Sequence, residues 1–274
     1  MDKFTAVWLS HSSISDFIKC PRAYYLKNVY KDLFSKHKVM VVSPSLSLGS
    51  AVHNVLEIVA NTSIHQRPTL DLHDLLEKQW KRYSGEIGGF HSQIEEDEFK
   101  IRGHNMLEIV HKNIEPLMTE CISMGDDLPY YWVSEPDNII LCGKVDWLSK
   151  NDDGSLQIID FKTGKNEEND DSLQLPIYAL LVQKILKKDK LNVSYWYIDS
   201  QEFPTSMALP DLDSAEKKII ELGLKIKLAK QQNNFLCPRG ENGCYSCRDL
   251  EKIVKGTAKY LGVGDYNKDL YSVN

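Results

Sequence analysis

The sequence predicts a mixed α/β fold: a helix, a three-stranded antiparallel meander, a second helix and a further strand, enlarged by a helical insertion. Three observations carry the prediction. Leu48, Val52, Val55, Leu56 and Val59 recur at helical spacing. Between residues 130 and 162 three apolar runs are separated by the turn formers Pro136-Asp137-Asn138 and Asn151-Asp152-Asp153-Gly154. Beyond them the helical pattern returns and is followed by the β-rich run Val193–Ile198.

Taken in order, residues 12–30 read as helical, with Ser12 or Ser13 as N-cap and a bend at Pro21. Residues 31–47 read as a loop, and a helix follows over about 48–60. Residues 70–123 read as helix broken near Gly85–Gly89, so that 62–128 is a helical insertion. The meander then runs through strands at 130–133, 139–148 and 156–162. An acidic loop at 166–171 leads to a helix over about 172–187, in which Pro176 falls in the tolerant first turn. Strand 193–198 and an amphipathic helix over 212–231 complete the core, before a cysteine-rich segment at 232–254 and a short tail. The whole of 1–274 reads as a single domain, without internal repeats or low-complexity linkers.

The net charge of −6 argues against a protein that coats nucleic acid by bulk charge, but leaves a local grip open. Lys184, Lys187, Lys188 and Lys190 read as a solvated helix end. No apolar run approaches the roughly 18 residues of a membrane span. The first residues lack the basic-then-apolar layout of a signal peptide, so a cytoplasmic protein is expected.

The chemistry concentrates on the meander. In Ile158-Ile159-Asp160-Phe161-Lys162, a period of two puts Asp160 and Lys162 on one face. An acid and an amine together on a buried strand are costly without a partner or a purpose. Across a short turn, Asp146 of the preceding strand can lie close to Asp160, and a cation relieves the repulsion between two carboxylates. Hard carboxylate oxygens suit Mg²⁺ or Mn²⁺. His53 sits at the edge of its helix's apolar stripe, where it can reach a cleft, and Gln174 and Tyr178 share a helix face at i,i+4. Each feature alone has an ordinary explanation, such as a satisfied histidine, an ion pair or a chance spacing. Their order along the chain carries the argument.

That ordered set resembles the RecB-like branch of the PD-(D/E)XK nucleases, including the CRISPR-adaptation nucleases. The matching segments are Gly49-Ser50-Ala51-Val52-His53, Gly143-Lys144-Val145-Asp146, Ile159-Asp160-Phe161-Lys162-Thr163-Gly164 and Gln174-Leu175-Pro176-Ile177-Tyr178. The resemblance runs from Ser12 to Cys247 and leaves out the 62–128 insertion and the last 20 residues. It implies a restriction-endonuclease-like core. By resemblance, His53, Asp146, Asp160 and the Phe161 carbonyl ligate the metal, Lys162 orients the attacking water, and Gln174 and Tyr178 support the site and the DNA.

Of six cysteines, Cys237, Cys244 and Cys247 crowd into eleven residues, which in a cytosolic protein suggests metal rather than disulfides. With Cys20 far upstream, they look like the iron–sulfur staple of the same family, four thiolates around a [4Fe–4S] cluster. The pattern departs from the commoner Cys-x2-Cys-x5-Cys: Ile253 stands where a cysteine is usual, and Cys237 lies upstream instead. Tetrahedral zinc is the alternative for the same thiolates. Cys121 and Cys142 read as small buried hydrophobes.

The expected activity is metal-dependent hydrolysis of DNA, as an exonuclease on single strands or duplex ends in repair, recombination or processing. No nucleotide-binding Gly-x4-Gly-Lys-Ser/Thr occurs, so unwinding would need a helicase partner. Two alternatives are a CRISPR-adaptation nuclease that trims DNA for an integration partner, and a non-catalytic DNA-end-binding module stabilised by its metallocluster.

Overall fold

The computed structural model describes residues 2–125 and 128–273, so positions 126 and 127 of the expected insertion lie outside the described residues. Strand β1 (Val7–Leu9) leads into helices α1 (His11–Lys19) and α2 (Pro21–Tyr24). The chain bends at Pro21 and continues through a π-helical turn at Tyr25–Val29. Strand β2 (Lys38–Val41) precedes α3 (Pro44–Asn61), whose first turn is capped by the Ser43 side chain. Helices α4 (Leu72–Trp80) and α5 (Gln93–Lys112) follow. Then come β3 (Tyr130–Ser134), β4 (Ile139–Cys142), β5 (Trp147–Lys150) and β6 (Leu156–Lys162). Helix α6 (Gln174–Leu186) crosses over to β7 (Leu191–Tyr197), and β8 (Thr205–Met207) precedes α7 (Leu212–Gln231). The chain ends in α8 (Arg248–Val254) and the hairpin β9 (Lys259–Val263) and β10 (Lys268–Ser272).

The central sheet has the order β5-β6-β7-β8, with β6 antiparallel to β5 and parallel to β7. Parallel neighbours need a long crossover, which α6 provides. Strand β6 is covered on both faces. Ile158 packs with Val193, Ile177 and Leu181 on the α6 side, whereas Ile159 and Phe161 pack with Val52, Val55, Trp80 and Met106 of the α3–α5 layer. The result is a helix–sheet–helix sandwich in which β6 carries its polar residues into the middle of the molecule.

Four segments differ from the expected elements. The strand expected over 139–148 divides at Gly143–Asp146: β4 joins a sheet of order β1-β4-β3, and β5 joins the central sheet. A side chain at Gly143 would meet Leu181 at 3.1 Å, so the chain passes close to α6 as it changes sheets and a larger residue would require Leu181 to give by a few tenths of an ångström. The expected loop at 31–47 holds β2, and the expected tail holds β9 and β10; they form a third sheet, β2-β10-β9, that joins the C-terminal hairpin to the segment before α3. Helix α5 stops at Asn113 rather than near 123, with Pro116 three residues on, and Cys121 makes an isolated bridge to Ser149.

Buried Arg67 pins this second layer. Its guanidinium donates to the carbonyl oxygens of Val59, Thr62, Leu117 and Thr119, joining the end of α3 to the segment after α5. Among the described residues, no helix is long and apolar enough to cross a membrane.

Candidate active site and thiol cluster

The polar residues of β6 meet side chains from α3, β5 and α6. Asp160 is 1 % exposed, and its Oδ1 accepts a hydrogen bond from Gln174 Nε2 at 2.6 Å. Its Oδ2 lies 3.0 Å from Lys162 Nζ but receives no hydrogen bond of good geometry, leaving one carboxylate oxygen buried without a directional partner. Burial, and then the charge of Asp146, push the Asp160 carboxyl up to about 7, against the pull of Lys162.

Lys162 is held by three acceptors. It pairs with Asp160, donates to Glu168 Oε1 at 2.9 Å and donates to Gln174 Oε1. Burial works to lower its pKa, but Asp160 and Glu168 outweigh it and the group is held above the ordinary lysine value. Gln174 thus reads both ends of the acid–amine pair at once, accepting from the ammonium and donating to the carboxylate. Its Nε2 also reaches the Tyr178 hydroxyl at 3.3 Å, one helical turn on. Burial, then Asp146 and Asp160, keep the Tyr178 phenol protonated far above its usual range.

Asp146 immediately precedes β5, at the end of the sheet change. Its Oδ2 accepts the Phe161 backbone N–H at 3.1 Å, which ties it to β6, and its Oδ1 faces His53 Nδ1 at 3.5 Å. Burial disfavours the charged imidazole, but Asp146 and then Asp160 hold the His53 pKa above the ordinary histidine value. The approach of α3 to the sheet depends on Gly49, where a Cβ would stand 3.2 Å from Thr163 Oγ1. Arg102 of α5 fixes the same end of β6, donating to the Thr163 carbonyl at 2.8 Å while gripping both carboxylate oxygens of Asp199.

All six side chains singled out from the sequence, His53, Asp146, Asp160, Lys162, Gln174 and Tyr178, therefore fall in one network of contacts and charges. Sequence reasoning missed Glu168, Arg102 and Asp199. Glu168 lies in the acidic loop at 166–171, whose sequence singles out no one residue, and the Arg102–Asp199 pair joins positions 97 residues apart. His53, Asp146 and Phe161 line an open cleft, whereas Asp160 is buried and does not line it.

The thiols are gathered more tightly. Among the described residues, Cys20, Cys237, Cys244 and Cys247 form the only set of three or more metal-type side chains whose donor atoms all lie within 4.8 Å of one another. Cys20 sits between α1 and α2, and Cys247 caps α8. The backbone N–H of Cys244 donates to Cys247 Sγ at 3.3 Å, and that of Arg239 to Cys237 Sγ at 3.5 Å. Gly243 is left-handed at φ +68°, and a Cβ there would stand 3.2 Å from Cys247 Sγ. Ala23, Leu26, Val39, Leu250 and Ile253 surround the thiols as a separate small core, so Ile253 fills with packing the place where a cysteine is usual. Arg22 pairs with Glu251 across the same junction. Cys142 and Cys121 stand apart; Cys142 is buried, but Cys121 is only partly so, beside Arg67.

In comparison with known proteins, the family model for the PD-(D/E)XK nuclease superfamily matches residues 8–248, from β1 to the first residue of α8. Among curated proteins, none matches the chain.

Proposed function

Because the chain belongs to the PD-(D/E)XK nuclease superfamily, a family of nucleases that use divalent metals, we propose that it is a Mg²⁺- or Mn²⁺-dependent deoxyribonuclease that trims single strands or duplex ends. The observation that carries this reading is the buried network around Asp160: a carboxylate with one unsatisfied oxygen, a second carboxylate whose charge destabilises it, an imidazole and a doubly anchored amine. A structural ion pair would not need the second acid or the cleft.

The donor set fits a hard divalent cation. Asp146, Asp160 and the Phe161 carbonyl offer oxygen, and His53 adds a nitrogen that suits Mn²⁺. Bound there, such an ion would neutralise charge on a phosphodiester in its transition state and acidify a bound water. Lys162 would orient that water. Its contacts with Glu168 and Gln174 hold the ammonium at the end of β6 independently of Asp160, so Asp160 can turn its free oxygen to the cation without releasing the lysine. Gln174 keeps the other Asp160 oxygen fixed, and Tyr178 braces Gln174 while leaving its own hydroxyl protonated. Such a site hydrolyses but does not unwind, so a helicase would supply strands from duplex.

The four thiols carry a second, structural metal in this reading. Four thiolates about 2.3 Å from a single ion stand about 3.8 Å apart. A cubane interposes four irons and spreads its thiolates to about 6 Å. With all four sulfurs inside 4.8 Å, and Cys244 and Cys247 at 3.8 Å, the thiols match a single tetrahedral ion such as zinc better than the [4Fe–4S] cluster the resemblance implies. No catalytic role follows for either.

Cleavage of end-labelled single-stranded DNA, duplex DNA and RNA with Mn²⁺, Mg²⁺ or chelator tests the activity. The expected result is metal-dependent loss of single-stranded DNA that Asp160→Asn abolishes. Cleavage that persists in Asp160→Asn, or that consumes RNA alone, would overturn the assignment.

A further inference from the structure

The C-terminal hairpin lies beyond the residues matched by the family, yet its turn borders the active-site cleft. Asp265 and Tyr266 line the same cavity as His53 and Asp146. The turn is closed by the Gly264 N–H donating to the Lys268 carbonyl at 2.8 Å. The hairpin meets the helical layer through Arg82–Asp265 at the turn and Lys259–Glu86 at the start of β9, and β10 pairs with β2, which leads into the helix that carries His53.

On this anchored turn Tyr266 is 90 % exposed and adopts φ +57°. A left-handed backbone at an aromatic residue is an uncommon and strained conformation, and it persists here in a closed turn held by the Arg82–Asp265 pair. The apolar packing of the hairpin comes instead from buried Leu270 and from the Tyr260–Tyr271 ring pair.

The charges of the cleft restrict what it can hold. Lys144 in its wall is paired with Glu57 at 2.6 Å, and Arg82 is paired with Asp265. Glu57 and Asp265 are neutralised in these pairs, which leaves Asp146 and His53 to face a cation and commits both the lysine and the arginine to carboxylates rather than to a phosphate backbone. A nucleic acid entering here needs a contact that is not phosphate charge. Aromatic stacking on a base is such a contact and tolerates any sequence, because every base has a π-face.

We propose that Tyr266 is a base-stacking platform that holds an unpaired nucleotide of the substrate strand at the mouth of the cleft. The inference rests on the nuclease reading above and adds its substrate class: strands whose bases are free to stack, in preference to closed duplex. It makes Tyr266 a substrate-positioning residue, not a catalytic one.

The test uses the full chain and a short single-stranded oligonucleotide carrying 2-aminopurine, whose fluorescence falls on stacking. Binding is read with Ca²⁺, and steady-state cleavage with Mn²⁺. Tyr266→Ala is expected to lose the quenching, weaken binding about tenfold and raise KM with kcat within about twofold, whereas Tyr266→Phe keeps all three near wild type. An unchanged melting temperature shows that the hairpin is intact. Wild-type cleavage with Tyr266→Ala indistinguishable from it overturns this inference alone. Failure of the wild type to bind or cleave single strands overturns the nuclease reading and this inference with it.

Discussion

The carboxylate site and the thiol site are built on opposite principles. The carboxylates sit on the central strand and have internal partners: Lys162 and Gln174 for Asp160, the Phe161 N–H for Asp146. Protein groups already offset much of their charge, and His53 and Asp146 open onto a cleft. The thiols are drawn from distant ends of the chain, are surrounded by a small apolar core and have chiefly one another. On the proposed reading, the first site can stand without its cation and keeps an open side for substrate, whereas the local fold around the thiols depends on the metal they would hold.

The contrast predicts opposite responses to substitution. Asp160→Asn should lower cleavage at least about a thousandfold, since an amide is a poor ligand and cannot match the charge of the carboxylate. The same variant should melt within a few degrees of wild type in chelator, because the buried charge that Asp146 opposes and the ion pair with Lys162 are lost together. Cys247→Ala should do the reverse: no metal by elemental analysis, and a loss of several kcal/mol in stability that chelator reproduces in wild type. Zinc at one equivalent would support the single-ion reading of the thiols. Four irons with broad absorbance near about 400 nm would replace it with the iron–sulfur cluster.

Lys162→Ala sharpens the comparison further. It should reduce cleavage by about a hundredfold to ten-thousandfold. It also strips Asp160 and Glu168 of their shared cation, so the variant should be destabilised by a few kcal/mol in chelator. Mn²⁺ should then raise its melting temperature more than that of wild type, because the ion takes over the missing charge. Equal shifts in both proteins would mean that the ion does not sit beside Asp160.

Much of this was legible in the sequence, for definable reasons. Alternation along β6 puts Asp160 and Lys162 on one face, and the short turn at Asn151–Gly154 brings β5 alongside, so local rules suffice to bring Asp146 near. The same rules fail where pairing is distant. Strands β1 and β2 are only three and four residues long, and their partners β4 and β10 lie more than 100 residues away. Nothing local distinguishes them from loop. The division of the 139–148 strand was hidden because its apolar pattern runs on through the glycine that breaks it. Buried Arg67 and the Arg102–Asp199 pair carry no local signal, because Leu117, Thr119 and Asp199 lie 50 or more residues from the arginines they hold.

The smallest effect concerns the glycine that sets the distance between helix and sheet. Gly49→Ala adds a methyl 3.2 Å from Thr163 Oγ1, tight enough that the helix or the threonine must give by a few tenths of an ångström. Alanine within a helix is otherwise favoured over glycine by about 1 kcal/mol. The two terms should nearly cancel, leaving the melting temperature within a few degrees of wild type. Cleavage should still fall several-fold, since His53 lies one turn further along α3 and any retreat of the helix widens its 3.5 Å approach to Asp146. A variant that loses activity at constant stability would show that Gly49 serves the site; one that loses stability at constant activity would assign it to packing alone.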